Sequence, residues 1–330
     1  MKKFLSLVTG VLISVGTLSA FPVNADDWMT YGDFTYSVGD DGNITIGEYN
    51  GEDAQVVIPE KIDGKNVTVI GKCVFEDNQT ITDVVLPNTV KEIDYKAFAS
   101  CKNLKNINFP DELEKINLYA FTTCHSLEKI DLTNVKTIGE CAFQLCISLD
   151  EITIGGGAET IVDHAFHGCH NVDTLIFENG VKTIESTAAL NMFSLKRIII
   201  PASVTEIGEH ALGYTYYHPN YTRIDSTIYG YKETAAYEYA VENGFSFVEI
   251  YDYGDVNGDG SVDSSDATNI LKEYAALSTG GQSGFSGEQT ARADIDKSGT
   301  VDSSDASRVL EYYAYISTGG TEIPMFYFFE

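Results

Sequence analysis

Leu104-Lys-Asn-Ile107-Asn-Phe109 decides the fold, because it returns along the chain. Copies stand at Leu127-Glu-Lys-Ile130-Asp-Leu132, Leu149-Asp-Glu-Ile152-Thr-Ile154, Val172-Asp-Thr-Leu175-Ile-Phe177 and Leu195-Lys-Arg-Ile198-Ile-Ile200, with an earlier one at Ile81-Thr-Asp-Val84-Val-Leu86. A second phrase interleaves: Val90-Lys-Glu-Ile93, Leu113-Glu-Lys-Ile116, Val135-Lys-Thr-Ile138, Val181-Lys-Thr-Ile184 and Val204-Thr-Glu-Ile207. A third is the Ala-Phe pair at 97/98, 120/121, 142/143 and 165/166. It weakens to Val74-Phe75 at one end and to Ala188-Ala189 and Ala211-Leu212 at the other. No single unit of this kind buries its apolar side alone. Stacking the units makes one continuous core, with strands about 4.8 Å apart.

The cysteines obey the same period. Cys101, Cys124, Cys146 and Cys169 recur 22 or 23 residues apart, each three residues after a phenylalanine of the third phrase. One place per repeat is a stacked ladder position, where a free thiol acts as a small buried hydrophobe. Free thiols are therefore expected; Cys73 and Cys141 lie outside the ladder and are open to pairing.

The repeats at 67–213 resemble the bacterial surface-protein kind of leucine-rich repeat called BspA-like. The resemblance implies a curved solenoid used for adhesion or display, without catalysis. The expected division is a signal peptide at 1–25, an N-terminal cap with a hairpin at 26–66, the leucine-rich-repeat solenoid at 67–213, a C-terminal cap at 214–250 and a calcium module at 251–330. Within the C-terminal cap, Tyr214–His218 reads as an aromatic loop, Thr227–Tyr231 as a strand and Thr234–Asn243 as a helix stopped by Gly244.

Downstream the pattern changes. Asp255-Val-Asn257-Gly-Asp259-Gly260-Ser261-Val-Asp263-Ser-Ser-Asp266 places oxygen-bearing side chains at loop positions 1, 3, 5, 9 and 12, with glycine at 6 and Ser261 at 7 to offer its carbonyl. A second copy, Asp294, Asp296, Ser298, Gly299, Thr300, Asp302 and Asp305, begins 39 residues after Asp255. Ca2+ takes roughly six to eight oxygens at about 2.3–2.6 Å, and alternate residues of a tight loop converge to supply them. Two calcium ions are expected, with the second held more weakly because Ser298 replaces Asp259. Position 12 is Asp rather than the usual Glu, and no helical phrase precedes the first loop. Each copy therefore reads as loop-then-helix, with a Gly/Ser-rich connection at 282–289.

This pair, over residues 255–320, resembles a type I dockerin, the calcium-folded module that plugs into the cohesin domains of cellulosome scaffoldins. The resemblance implies a cohesin partner. It also implies recognition by loop positions 10 and 11 and by the helix face: Ser264, Ser265, Leu271 and Lys272 in one half, Ser303, Ser304, Leu310 and Glu311 in the other. The same serines also suit helix N-capping.

The totals set limits. A formal charge of −28 argues against nucleic acid or an anionic membrane as partner. Lys2 and Lys3, a mostly apolar Phe4–Leu18 and small residues before Asp26 read as an export signal, too short and polar to span. His164, His167, His170 and Cys169 cluster, yet fall at variable repeat positions, so a metal site there is the weaker reading. No nucleophile phrase is found, and carboxylate pairs are meaningless in so acidic a chain. Asn108, Asp131, Thr153, Ile176 and Ile199, along one strand face, drift from polar to aliphatic and read equally as a ligand surface or a solvated sheet.

The expectation is a secreted or cell-surface, non-enzymatic binding protein attached to a cellulosome, its solenoid ligand an unidentified protein or glycan. The alternatives are an accessory role in polysaccharide breakdown, or a protease inhibitor or spacer in the same assembly.

Overall fold

The computed structural model describes residues 28–250, 252–318 and 325–328. The expected signal peptide lies outside them. No helix among the described residues is long and apolar enough to cross a membrane.

The first phrase builds one wall. Gln55–Val57, Asp83–Val85 and Asn106–Ile107 pair in parallel, and Glu151–Ile154, Thr174–Phe177, Arg197–Ile199, Thr227–Gly230 and Ser246–Glu249 pair likewise. A single bridge, Leu132 to Ile154, joins the turn between the two groups. The second phrase builds another wall: Lys65–Ile70, Glu92–Ile93, Lys115–Ile116 and Thr137–Ile138, then Thr160–Ile161, Thr183–Ile184 and Glu206–Ile207. The rung at Thr160–Ile161 breaks the pattern read from the sequence, because Ala158 fills the place that Val or Leu takes elsewhere and is fully buried there. At the start, Phe34–Val38 and Ile44–Tyr49 form an antiparallel hairpin, whose second strand runs parallel to Lys65–Ile70.

The third side is the Ala-Phe turn. Phe75, Phe98, Phe121, Phe143 and Phe166 stack with centroids 5.0, 5.1, 5.2 and 5.6 Å apart and planes within 7°. Backbone bonds run from turn to turn, Phe98 N to Ala120 O at 2.8 Å and Phe121 N to Ala142 O at 2.8 Å. The ladder thiols of Cys101, Cys124, Cys146 and Cys169 donate to the carbonyls of Phe75, Phe98, Phe121 and Phe143 at 2.9–3.2 Å. Burial pushes the Cys101 and Cys169 thiols up to about 12, so these groups stay protonated and unreactive. All six cysteines are free, Cys73 and Cys141 included.

Two details differ from the sequence reading. Tyr214–His218 is no loop: Tyr214–Tyr217 and Asn220–Arg223 form an antiparallel hairpin. β-rich Tyr and Thr flank a His218-Pro219 turn, and that chemistry outweighs the loop reading. The drift toward aliphatic residues on the strand face is also explained by the chain itself. Ile176 and Ile199 are buried beneath Ile250, with Tyr229, Tyr231 and Tyr253 against them. The apolar end of that face is neither a free ligand surface nor solvated; the chain leaving the last strand covers it. At the polar end, Asn108 and Asp131 are exposed, and Thr153 is half-buried. The Asn108 side chain bridges turns by accepting from Leu86 N at 2.7 Å and donating to Leu86 O at 2.8 Å.

After the cap helix α1 (Ala235–Asn243), ended by left-handed Gly244, come α2 (Ser264–Ser278), α3 (Gly287–Ala293), α4 (Ser303–Ser317) and the short α5 (Met325–Phe328). They share a small core of their own. Val256, Ala267 and Ile270 from the first loop-helix meet Ile295, Ala306 and Val309 from the second, position for position. Met325 is buried against this core, and Phe328 lies 5.5 Å from Tyr312 and 4.8 Å from Tyr315.

Candidate functional site

Each loop closes on its twelfth residue. Asp266 is fully buried: one carboxylate oxygen accepts from Val256 N at 2.9 Å and Asn257 N at 3.1 Å, the other from Asp263 N at 3.0 Å. Asp305 repeats this with Ile295 N at 2.8 Å, Asp296 N at 3.2 Å and Asp302 N at 2.8 Å. The short Asp arm thus ties positions 2, 3 and 9 to the helix that follows. Burial raises the pKa of both carboxyls, against the pull of the backbone N–H groups. At position 6 the chain takes φ of 87° at Gly260 and 85° at Gly299, a conformation that favours glycine.

The helix starts correct the capping expectation. The N-caps are Asp263 and Asp302, each accepting from the second serine's N–H at 2.6 Å and boxed by Asp266 or Asp305. The serines stand inside the first turn, because position 9 already has the extended backbone and acceptor oxygen that a cap needs. That leaves Ser264, Ser265, Ser303 and Ser304 exposed, together with Leu271, Lys272, Leu310 and Glu311. Tyr274 and Tyr313 extend the same two faces, 40% and 41% exposed, at matching positions that the sequence reading passed over.

The second loop has an entering helix after all. α3 runs straight into Asp294, its C-cap. Its signal was legible in Ser286-Gly-Glu-Gln289, a capping box hidden in a Gly/Ser-rich stretch: Ser286 Oγ accepts from Gln289 N at 3.2 Å, and Gln289 Oε1 accepts from Ser286 N at 3.1 Å. The long connection is folded back by buried Glu273, whose two oxygens take Gly284 N at 3.1 and 3.0 Å.

The loops differ in how their first residue is satisfied. Asp255 accepts from Gly258, Asp259 and Gly260 N at 2.7, 3.1 and 3.0 Å. Arg292 of α3 donates to its carbonyl at 3.2 Å. Asp294 accepts from Gly299 N at 2.9 Å through one oxygen; the other, Oδ1, is buried with no hydrogen-bond partner. Among the described residues, Asp294, Asp296 and Asp305 bring one oxygen each within 4.8 Å of one another. A buried carboxylate oxygen without a partner is costly. A hard cation at that point removes the cost, so the residues fit one. This opposes the charge-count argument for weaker binding in the second loop. In the first, Asn257 donates to Asp259 at 2.8 Å and to Ser265 Oγ at 2.9 Å. Ser261 and Thr300 are exposed at position 7, and Ser298 Oγ lies 3.1 Å from Thr300 Oγ1.

The histidine cluster is held by its own neighbours. His167 sits between Gln144 Nε2 at 3.1 Å and Asn191 Nδ2 at 2.9 Å, and His164 lies 3.1 Å from Asp163. Burial, with His164 and His170 nearby, pushes the His167 imidazole down to about 4. Its neutral form is therefore the folded one. Stability from this site is complete above the ordinary histidine value of 6.5 and falls as pH drops from there toward 4, where the unfolded chain takes up a proton that the folded one refuses. Thermal melts of wild type and His167→Gln should diverge through that window, with the variant less acid-sensitive.

A family described as BspA type leucine rich repeat region matches six copies, over residues 55–154 and 132–235. The dockerin type I domain matches residues 253–312. No curated protein matches the chain. Among solved structures, the leucine rich repeat protein TpLRR of T. pallidum is 26% identical over 55% of this chain and 85% of that one, with a TM-score of 0.50. A leucine rich cell surface protein of Faecalibacterium prausnitzii A2-165 is 22% identical over 68% of this chain and 72% of that one, with a TM-score of 0.50, a likeness of fold. A leucine-rich repeat protein of Bacteroides ovatus is 22% identical over 68% and 74%, with a TM-score of 0.49.

Proposed function

Because the chain belongs to the BspA type leucine rich repeat family and carries a type I dockerin domain, we propose that it is an exported, non-catalytic binding protein held on a cellulosome scaffold by its dockerin. Type I dockerins bind calcium and dock on cohesins. In this reading one ion sits in each loop, held in the first by Asp255, Asn257, Asp259, Ser261, Asp263 and Asp266, and in the second by Asp294, Asp296, Ser298, Thr300, Asp302 and Asp305. The observation that carries it is the buried, partnerless Asp294 Oδ1 among three converging carboxylates. A cation there fixes the loop, and the loop's ninth residue starts the helix whose face the cohesin meets.

That face exists twice. Leu271 and Tyr274 on α2 correspond to Leu310 and Tyr313 on α4, all exposed, while Lys272 of the first half is replaced by Glu311 at the matching position of the second. Exposed apolar side chains in matched sets mark a partner surface. Calorimetric titration of a scaffoldin cohesin into Leu271→Asp and Leu310→Asp variants tests this. Each single variant is expected to bind within roughly tenfold of wild type through the remaining face, and the double variant to lose binding by roughly a hundredfold or more. Loss of all binding in one single variant would show that only that face is used.

A further inference from the structure

Two short rows of aromatic rings flank the Tyr214–Tyr217/Asn220–Arg223 hairpin. In one, His170, Phe193 and Tyr217 follow each other at centroid separations of 4.6 and 6.3 Å. In the other, His210, Tyr221 and Tyr216 follow at 3.8 and 4.7 Å. Tyr216 and Tyr217 are neighbours on one strand and point to opposite faces, so the hairpin is a fin with rings on both sides. The rings are left open: Tyr217 is 66% exposed, Phe193 45% and Tyr221 40%.

The fin is rigidly mounted. Asn191 donates its backbone N–H to Tyr214 O at 2.9 Å and accepts from Tyr216 N at 2.7 Å through its side chain. The Asn191 amide is itself braced on His167 at 2.9 Å, and Tyr214 Oη donates to Asn243 at 2.7 Å. Rings held in place before binding lose little conformational freedom on contact.

The charge of the site selects its occupant. In a chain of formal charge −28 these six side chains carry no carboxylate. The hairpin's one cation, Arg223, is tied to Gly244 O and lies over the Phe245 ring. One carboxylate lies beside the rows, Glu209 at 3.7 Å from His210; its side chain is 85% exposed, so an uncharged, polyhydroxylated chain leaves it hydrated, whereas an acidic polymer is repelled by it and by the net negative charge of the chain. The exposed apolar groups are aromatic and not aliphatic, and each tyrosine or imidazole pairs a flat apolar face with a polar edge.

We propose that these two ring rows bind an uncharged polysaccharide, its sugar rings laying their C–H faces on Phe193, Tyr217 and Tyr221 while hydroxyls bond to the tyrosine hydroxyls and imidazoles. This deepens the binding role proposed above and rests on the solenoid being the binding part of that reading.

Native gels containing hydroxyethylcellulose, xyloglucan or barley β-glucan, with polygalacturonate as the charged comparison, test it on the full chain in calcium. Retardation is expected in at least one neutral gel and not in polygalacturonate. Tyr217→Ala is expected to weaken it by roughly two- to tenfold, Phe193→Ala with Tyr217→Ala to abolish it, and Tyr217→Trp to restore it. The melting temperature of Tyr217→Ala should stay that of wild type, because the ring is mostly exposed. Unchanged mobility in all neutral gels, retardation only in polygalacturonate, or ring variants indistinguishable from wild type would each overturn the proposal. Cohesin capture is measured on the same samples. Capture without retardation sinks the polysaccharide site alone, and retardation without capture sinks the attachment reading alone.

Discussion

Phe121→Ala is expected to destabilise the solenoid by about 3–5 kcal/mol, the usual cost of emptying a buried aromatic site. Phe121 is fully buried between Phe98 at 5.1 Å and Phe143 at 5.2 Å, with Phe109 at 5.7 Å. A stacked array has only nearest-neighbour interfaces, so the cavity weakens two of them at once and nothing more distant compensates. Urea unfolding followed by far-UV circular dichroism measures the loss. A second, earlier transition is expected if the array parts at this turn. A shift under about 1 kcal/mol would mean that the phenylalanine column does not hold the turns together.

Asp266→Ala combined with Asp305→Ala is expected to unfold the calcium module and abolish cohesin capture even in excess calcium. Each substitution strands three backbone N–H groups and breaks a capping box, and an unsatisfied buried donor costs about 1–3 kcal/mol. The summed penalty is comparable to the whole stability of a small domain. Asp294→Asn differs. It keeps an acceptor for Gly299 N while removing charge from the site, so helicity should persist in high calcium while more calcium is needed to reach it. Helical circular dichroism against calcium concentration separates the two. Full helicity and capture in the double variant would contradict the role given to position 12.

Much of this was legible because repetition multiplies weak signals. One L-x-x-I phrase is ambiguous; six copies of one phrase and five of the other place both walls, and the Ala-Phe pair with its cysteine places the phenylalanine column and the thiol ladder. Where a copy decays the reading fails: Ala158 hid a rung. The two loop-helix units were equally legible, since a tight cation loop calls for fixed residue types at fixed spacing. What was missed depends on tertiary contacts or on short capping signals. α3 is seven residues long, marked only by Ser286 and Gln289. The N-cap role of Asp263 and Asp302 looked like ligand chemistry alone. Ile176 and Ile199 read as a surface because nothing in the sequence shows that Ile250 and Tyr253 return to cover them. The Tyr274 and Tyr313 faces carry no motif; their correspondence emerges once both helices are superimposable in position.

The attachment claim is tested most directly by titrating a scaffoldin cohesin into the full-length protein by calorimetry, in calcium and after exchange into chelator. The account predicts tight binding in calcium, and loss of both binding and α2/α4 helicity in chelator. Binding of equal strength in both buffers would contradict it.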